Sequence, residues 1–481
     1  MLLAARWRRY SVETALAVPT LILFAGKDAN VGSLSGMPKL KFWLNKLLAQ
    51  FPKTGLASMA LMVGSTLLTA LVAVFLARLL GPAGYGVYAF AFSLITVLAI
   101  PSQLGLPQLV VRETARSQVN GDWGLMRGLW RWSSLSVWLF SFAVAGAAWA
   151  VMVSFDWGFS AAQKETFLWG LVLIPVIALG NIRGAALRGL HRVIKGQLPE
   201  FILRPGLFLL LIFAVLYLLP LKLGPASAMA LHGLAAFVAF LVGAWILYRE
   251  RPAPLAARPA PRYQHRAWAL SALPLAAIGA LTLINSNTDI LMLGFMRSEH
   301  EVGIYKVVVT GANLIIFGLQ AINMVVAPQF SRLFTQKRMD DLQKIVTSSS
   351  RAILIIALPT VIVVVLFGRQ ILGVVFGEEY KAGYLPLVIL GLGQLFNAFF
   401  GSVSMLLNMT NNERQTIKGV AVAALTNVVL NALLIPLYGI VGAAIATSIS
   451  VVLWNLVLWY FVRKSIGIES TVIGRRKGGG S

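Results

Sequence analysis

The sequence predicts an all-α integral membrane protein with twelve transmembrane helices in two six-helix lobes. Three observations predict this fold class: long apolar runs along the chain, charges concentrated between those runs, and a repeat of the first half in the second. Of the 481 residues, 58% are hydrophobic and 12% are charged, and the mean hydropathy is +0.79. A soluble protein of this length carries about twice that charged fraction. Almost no room is left for a soluble domain.

Residues 1–54 precede the first long apolar run and are predicted to form a partly disordered cytoplasmic extension. Arg6, Arg8 and Arg9 come before a short apolar run that Pro19 interrupts, as in a signal peptide, but the run is too short to span a bilayer. The lysines that follow it favour the cytoplasm. A helix lying on the membrane surface and a cleaved signal peptide remain alternatives.

Twelve apolar runs follow, each long enough for the roughly 20 residues that a spanning helix needs. Only helices suit runs of this length in lipid, because unpaired backbone groups are too costly there. The predicted regions are an N-lobe at 55–248, a cytoplasmic linker at 249–267, a C-lobe at 268–462 and a basic cytoplasmic tail at 463–481. The predicted spans are 56–79, 85–108, 130–153, 166–187, 202–220, 226–248, 268–295, 302–327, 352–372, 384–408, 416–436 and 438–462.

The distribution of basic residues orients the bundle. With a cytoplasmic N-terminus, 34 of the 41 Lys and Arg residues fall in the arm, the inner loops and the tail, and six fall in the outer connections. The remaining one, Lys306, is counted within span 8. This is the positive-inside pattern. An even number of spans then places both termini in the cytoplasm.

The chain also repeats itself at an offset near 220 residues. Gly86-Val87-Tyr88 opens span 2 and Gly303-Ile304-Tyr305 opens span 8. Three further tripeptide matches, at the end of spans 2 and 8 and at either end of spans 5 and 11, occur in the same order. Because six spans is an even number, the two lobes point the same way, as in parallel-repeat transporters that work by alternating access.

Several classes of function are excluded or disfavoured. The chain has no cysteine, so thiol catalysis and cysteine-ligated metals are ruled out. It has no P-loop, no dinucleotide-binding glycine motif and no zinc spacing, which predicts a protein that is not an enzyme and holds no cofactor or metal. The net charge of +24 lies in membrane connections rather than a nucleic-acid surface. Transport energy would come from H⁺ or Na⁺, from the membrane potential, or from downstream consumption of the substrate.

A polar patch, Asn285 to Asp289, interrupts span 7, and Lys306 lies just past the turn in span 8. At 1.5 Å per residue both charges lie roughly 10 Å or less from the outer ends of their helices. An ion pair is therefore feasible, either lining a transport cavity or pinning the two helices together. The repeat places Val72 and Ala89 at the equivalent first-half positions, so symmetry does not require the charges. We expect alanine at either position to impair transport, with the double change no worse than the worse single one.

Four arginines near apolar boundaries are further candidates for the substrate lumen: Arg78, Arg112, Arg188 and Arg204. A guanidinium fork binds two phosphate oxygens at once. The alternative for each is a role in membrane topology alone, and Arg188 and Arg204 lie closest to apolar segments.

Several motifs together carry a family resemblance over residues 55–465. They are Leu80-Gly81-Pro82-Ala83-Gly84-Tyr85-Gly86-Val87-Tyr88, Gln103-Leu104-Gly105-Leu106-Pro107 with Arg112, Leu187-Arg188-Gly189 through Pro199-Glu200 to Arg204-Pro205, Asp289-Ile290-Leu291-Met292-Leu293-Gly294 with Val302-Gly303-Ile304-Tyr305, and Gly439 to Ser448. The chain resembles the polysaccharide transporter, or oligosaccharide flippase, family of the multidrug/oligosaccharidyl-lipid/polysaccharide exporter superfamily. Asp289, Arg112, Arg188 and Arg204 fall at family-like positions, whereas Lys306 and residues 1–54 depart from the family pattern.

The resemblance implies a flippase that moves undecaprenyl-pyrophosphate-linked oligosaccharide units across the bacterial inner membrane for polysaccharide biosynthesis. The implied partners are the lipid-linked oligosaccharide, membrane lipids and polysaccharide polymerase or export proteins, and no nucleic acid. One alternative is a multidrug antiporter of the same superfamily, whose cationic cargo would favour more acids than Asp289 alone. Another is a membrane-bound glycosyltransferase or polymerase, which usually carries its acids in larger loops.

Overall fold

All regular structure in the computed structural model is helical within the residues that it describes, which are 53–156, 158–218, 223–257 and 259–474. A π-helical turn at Pro199–Leu203 and a 3₁₀ turn at Glu378–Gly383 connect longer helices. The α-helices are α1 (Lys53–Gln103), α2 (Leu106–Val119), α3 (Trp123–Ser154), α4 (Ala161–Gly170), α5 (Leu173–Gly189), α6 (Val193–Leu198), α7 (Arg204–Leu218), α8 (Pro225–Glu250), α9 (Ala253–Ala256), α10 (His265–Met296), α11 (Glu299–Thr335), α12 (Met339–Val375), α13 (Tyr384–Phe400), α14 (Val403–Met409) and α15 (Glu413–Ile466).

Nine helical segments within these described residues are long and apolar enough to cross a membrane. The predicted fold class is confirmed at this level: the protein is an all-helical, multi-pass membrane protein. The predictions for residues 1–52 and 475–481 lie outside the described residues. From Ala57 onward the described residues form one compact unit. The twelve-helix count, the two-lobe symmetry and the cytoplasmic termini remain predictions.

Glycines interrupt the two longest helices. Gly81 in α1 has φ 67° and ψ 175°, and Gly439 in α15 has φ 55° and ψ −131°. Neither conformation is helical, and both need the positive φ that glycine adopts at low cost. Gly81 falls between predicted spans 1 and 2, and Gly439 falls within the first residues of predicted span 12. Both kinks therefore lie close to the predicted turns.

The inner end of predicted span 2 differs from the prediction of one helix over 85–108. Helix α1 ends at Gln103, and Leu104 and Gly105 adopt left-handed φ values of 44° and 69°. Helix α2 then begins at Leu106, with Pro107 in its first turn, where a missing N–H costs nothing. The basic segment that follows, predicted as a loop, is helical as far as Val119. A β-carbon at Gly105 would overlap the backbone of α10 near Ala272, so this break also permits close packing.

Helices α1 and α11 cross in direct backbone contact at the repeated glycines. A β-carbon at Gly86 would lie 1.8 Å from the carbonyl oxygen of Glu299, and one at Gly303 would lie 1.9 Å from that of Pro82. The contact is reciprocal, because the repeat that aligns Gly86 with Gly303 also aligns Pro82 with Glu299, and each glycine meets the carbonyl beside the other. Such proximity is possible only between small residues. This local contact gives the tripeptide repeat a structural role.

Residues after α15 fold back against the first half of α12 and the end of α13. Ser350 Oγ donates to the Ser470 carbonyl at 2.7 Å, and the Val472 amide donates to the Phe399 carbonyl at 3.1 Å. Glu469 accepts from the indole Nε1 of Trp459 at 2.7 Å and from the Thr471 amide at 3.2 Å. Helix α15 itself continues to Ile466. The first part of the predicted tail, 463–474, is therefore packed structure.

We predict that Glu469→Ala lowers the free energy of unfolding by about 1–3 kcal/mol, because it leaves the Trp459 indole without its acceptor. A thermal unfolding curve in detergent measures the change. The control is Glu379→Ala, an exposed carboxylate in the 3₁₀ turn. Equal midpoints for the two variants would contradict the assigned role of Glu469.

Candidate functional site

Asp289 lies in the C-terminal half of α10, inside a continuous helix rather than in a break. Three side chains donate hydrogen bonds to its carboxylate. Tyr305 Oη donates to Oδ2 at 2.9 Å, Asn431 Nδ2 to Oδ1 at 2.9 Å, and Thr447 Oγ1 to Oδ2 at 2.5 Å. These donors come from α11 and from both parts of α15. The carboxylate therefore joins three helical segments of the second half.

The amide side chains around Asp289 have unused oxygens. Asn427 Nδ2 donates to Thr447 Oγ1 at 3.1 Å, which extends the network by one residue. Asn427 and Asn431 are almost fully buried, and their Oδ1 atoms have no hydrogen-bond partner among the described residues. A buried acceptor without a donor is costly. A carboxylate beside free amide oxygens is the type of ligand set that hard cations bind.

Lys306 does not pair with Asp289. The ion pairs of the described residues, counted to 4.0 Å, do not include it, and Lys306 Nζ donates no hydrogen bond among them. The side chain is half-buried on α11. The ion pair that similar depth made feasible is absent from this conformation, in which Tyr305, Asn431 and Thr447 are the side chains that donate to the carboxylate. An unpaired ammonium is free to meet an anion.

Arg78 and Arg204 have protein partners. The Arg78 guanidinium donates to the carbonyl oxygen of Val375 at 2.7 Å and to that of Val374, at the C-terminus of α12. Arg204 Nη1 lies 3.0 Å from Glu200 Oε2, and both side chains are largely buried. Glu200 belongs to the π-helical turn, a type of irregularity that is frequent at functional sites.

Arg112 lies in the middle of α2, and Arg188 lies in the last turn of α5. Arg112 Nε contacts Glu113 Oε1 at 3.0 Å on α2, with half of the Arg112 side chain exposed. Arg188, in the last turn of α5, is half-buried against Gly184 and Gly196. It has no ion pair within the described part of the chain. None of the described hydrogen bonds or ion pairs joins two of the six candidates.

Sequence reasoning missed the partners of Asp289. Asn427 and Asn431 are spaced i, i+4 in an otherwise apolar span, which places them on one helix face. That spacing was the available signal. In the sequence, Tyr305 is distinguished only by its place in the tripeptide repeat. Its first-half counterpart, Tyr88, has its Oη 2.7 Å from Nδ1 of the buried His232, so each repeated tyrosine contacts a titratable side chain in its own half.

The family comparison agrees with this architecture. Residues 75–384 match the family described as polysaccharide biosynthesis protein, and residues 302–475 match the one described as lipid II flippase MurJ. The first match covers more than half of the chain. The chain therefore belongs to the polysaccharide biosynthesis protein family, and the resemblance seen in its motifs is confirmed.

Three relatives are similar over part of the chain. The probable low-salt glycan biosynthesis flippase Agl15 of Haloferax volcanii is 22% identical over 38% of each chain. The probable flippase AglR of the same organism is 29% identical over 35% of this chain and 36% of its own. The capsular polysaccharide biosynthesis protein CapF of Staphylococcus aureus is 25% identical over 40% and 48%. The matches thus span less than half the length of each relative.

Solved transporter structures share the fold. An inward-facing multidrug resistance MATE family transporter superposes with a TM-score of 0.68 at 14% identity, covering 84% of this chain and 94% of its own. The lipid II flippase MurJ in an inward closed conformation gives 0.61 at 14% identity, covering 82% and 87%. At this identity the likeness concerns the fold alone.

We predict that Asp289 and Asn431 are energetically coupled. Asn431→Ala should lower thermal stability less in an Asp289→Ala background than in the parent, with a coupling of about 0.5–3 kcal/mol. A double-mutant cycle of unfolding free energies measures it. The cycle of Asp289→Ala with Lys306→Met is the control and should be additive to within about 0.5 kcal/mol. Equal coupling in both cycles would contradict the described network.

Proposed function

We propose that this protein is a flippase that moves lipid-linked oligosaccharides across the cell membrane for polysaccharide biosynthesis. The family membership, the relatives named as flippases and the MurJ-like and MATE-like fold support a transporter rather than an enzyme. The observation that carries the proposal is a charged and hydrogen-bonded site built into apolar helices, since such groups by default mark transport paths.

The proposed architecture has twelve spans in two parallel lobes with cytoplasmic termini. Two features support it. Dividing α1 and α15 at Gly81 and Gly439 adds two segments to the nine, and α10, at 32 residues, is long enough to be the twelfth. The reciprocal contact at Gly86 and Gly303 is what a two-fold axis between the lobes would produce.

The proposed cargo is an oligosaccharide on undecaprenyl pyrophosphate, in the bacterial inner membrane. The lipid tail stays in the bilayer while the polar head crosses between the lobes by alternating access. An anionic pyrophosphate cannot cross hydrocarbon unaided. We assign its binding to Lys306 and Arg188, two of the candidate cations that have no ion pair among the described residues. Polymerase or export proteins would take over the flipped unit on the far side.

The proposed energy source is a cation bound at Asp289. The carboxylate and the free amide oxygens of Asn427 and Asn431 are suited to Na⁺, and H⁺ is the alternative because the same carboxylate can be protonated. Cation binding would change which hydrogen bonds the Asp289 carboxylate accepts. It would thereby change how α10 packs against α11 and α15. The membrane potential would add a driving force for any charge carried.

Reconstitution tests the proposal. Liposomes containing the protein and a fluorescent pyrophosphate-linked oligosaccharide are treated with an impermeant quencher, and the protected fraction is followed in time. We expect accelerated crossing relative to protein-free liposomes, and no comparable transport of a lipophilic cation such as ethidium. Crossing of the cation alone would favour the multidrug antiporter, and crossing of neither would overturn the transport proposal.

We predict that Asp289→Ala and Lys306→Ala each slow flipping at least severalfold, with effects that multiply in the double variant. The sequence analysis expected the double change to be no worse than the worse single change, because it assumed an ion pair. Since the two side chains do not contact each other, their effects on the flipping rate should be independent. Initial rates at equal protein density measure it. A double variant no slower than the slower single one would restore the coupled pair.

A further inference from the structure

We propose that the C-terminal end of α8 binds the head group of an anionic phospholipid at the predicted inner surface of the membrane. The head-group site is defined as Trp245, Tyr248, Arg249 and Arg251. The inference rests on the orientation that the positive charges predict, and it does not depend on the identity of the transported cargo.

The last predicted span of each half ends in the same pairing of tryptophan with arginine. The guanidinium carbon of Arg249 lies 4.8 Å from the ring centroid of Trp245, and that of Arg463 lies 5.0 Å from the ring centroid of Trp459. In both pairs the arginine follows the tryptophan by four residues, which places the two side chains on one face of the helix. The spacing between the pairs is close to the offset of the other repeated motifs, so they occupy equivalent positions in the two halves.

The pair in the second half shows what this arrangement binds. Trp459 Nε1 donates to Glu469 Oε1 at 2.7 Å, and Arg463 Nε lies 3.6 Å from Glu469 Oε2. The indole N–H and the guanidinium group therefore contact both oxygens of a single carboxylate, which belongs to the segment after α15. A guanidinium group binds phosphate oxygens in the same way as carboxylate oxygens.

The pair in the first half has no carboxylate partner among the described residues. The Trp245 indole donates no hydrogen bond to them, and Arg249 forms no ion pair with them. The neighbouring acid, Glu250, already has two cations: Arg192 Nε lies 3.0 Å from its Oε2, and Lys195 Nζ contacts its Oε1. Arg249 is therefore available to an anion from outside the chain.

The surroundings of this pair favour a lipid over a soluble anion. Arg251 adds a second guanidinium group, whose carbon lies 4.0 Å from the ring centroid of Tyr248. The exposed side chains of Phe237, Leu241, Trp245 and Tyr248 share one face of α8, so an exposed apolar surface leads from the span to the two arginines. A soluble phosphate would leave that surface uncovered, whereas a phospholipid covers it with acyl chains while its phosphate meets the arginines.

Native mass spectrometry of the full chain in detergent tests the site, with phosphatidylglycerol as the anionic lipid and phosphatidylethanolamine as the zwitterionic one. We expect the parent to bind the first phosphatidylglycerol about tenfold more tightly than the first phosphatidylethanolamine. Arg249→Gln with Arg251→Gln should weaken phosphatidylglycerol binding about tenfold and remove this preference. Trp245→Phe keeps an aromatic ring but loses the N–H donor, and should weaken binding about threefold.

The matched control is Arg332→Gln with Arg414→Gln, which removes the same charge from the predicted inner connections. Both control arginines are exposed, and neither has an ion pair or a ring contact within the described ranges. The control should change the affinity less than about twofold. All the replaced arginines lie at helix ends or in exposed positions, and a thermal unfolding curve verifies that each variant is folded.

Three results would overturn the inference. Equal loss of affinity in the two double variants would mean that net charge alone attracts the lipid. Equal affinity of the parent for the two lipids would mean that the site does not recognise an anionic head group. Glycerol 3-phosphate that displaces phosphatidylglycerol at equal concentration would assign the site to a soluble anion. None of these results bears on whether the protein flips a cargo, so failure of the site and failure of the proposed function are distinguishable.

Discussion

The arrangement of the second half depends on one constraint: a carboxylate in an apolar helix bundle needs polar partners. Asp289 obtains them from Tyr305, Asn431 and Thr447. Since these donors belong to α11 and α15, satisfying one side chain fixes the rotation of three helical segments around it. A purely structural bundle would have no need of such a group, because replacing buried charges with well-packed apolar side chains often stabilises a protein. The network is therefore more readily explained by function than by stability.

The polar network and the glycine crossing share one helix. Gly303 contacts the first half through its backbone, and two residues later Tyr305 donates to Asp289. On α10, Gly294 meets Phe90 little more than one turn beyond Asp289. A change in what Asp289 binds would act on α10 and α11 close to the places where the two halves meet. Packed interfaces of this kind switch between discrete arrangements rather than deforming gradually. A cation that bound at Asp289, as proposed, would therefore be able to alter the contact between the two halves.

The sequence was sufficient to predict a helical, multi-pass membrane protein, because hydropathy is a long-range pattern that local packing does not disturb. The sequence also singled out Asp289, because a carboxylate within a long apolar run stands out in a hydropathy pattern. It failed on the Asp289–Lys306 pair because equal depth in two helices does not specify which faces they present. Helix rotation is set by packing partners, here Asn431 and Thr447, which lie more than 100 residues away in sequence. Helix α2 was missed because its basic, exposed residues resemble a loop when hydropathy is the criterion.

Gradient-driven flipping in proteoliposomes tests the central claim most directly, namely that Asp289 couples a cation to transport. The parent and Asp289→Asn are compared with and without an imposed Na⁺ gradient, and again with a pH gradient. The account predicts that one of the two gradients accelerates the parent severalfold and leaves the rate of Asp289→Asn unchanged. Full gradient dependence in Asp289→Asn would contradict it.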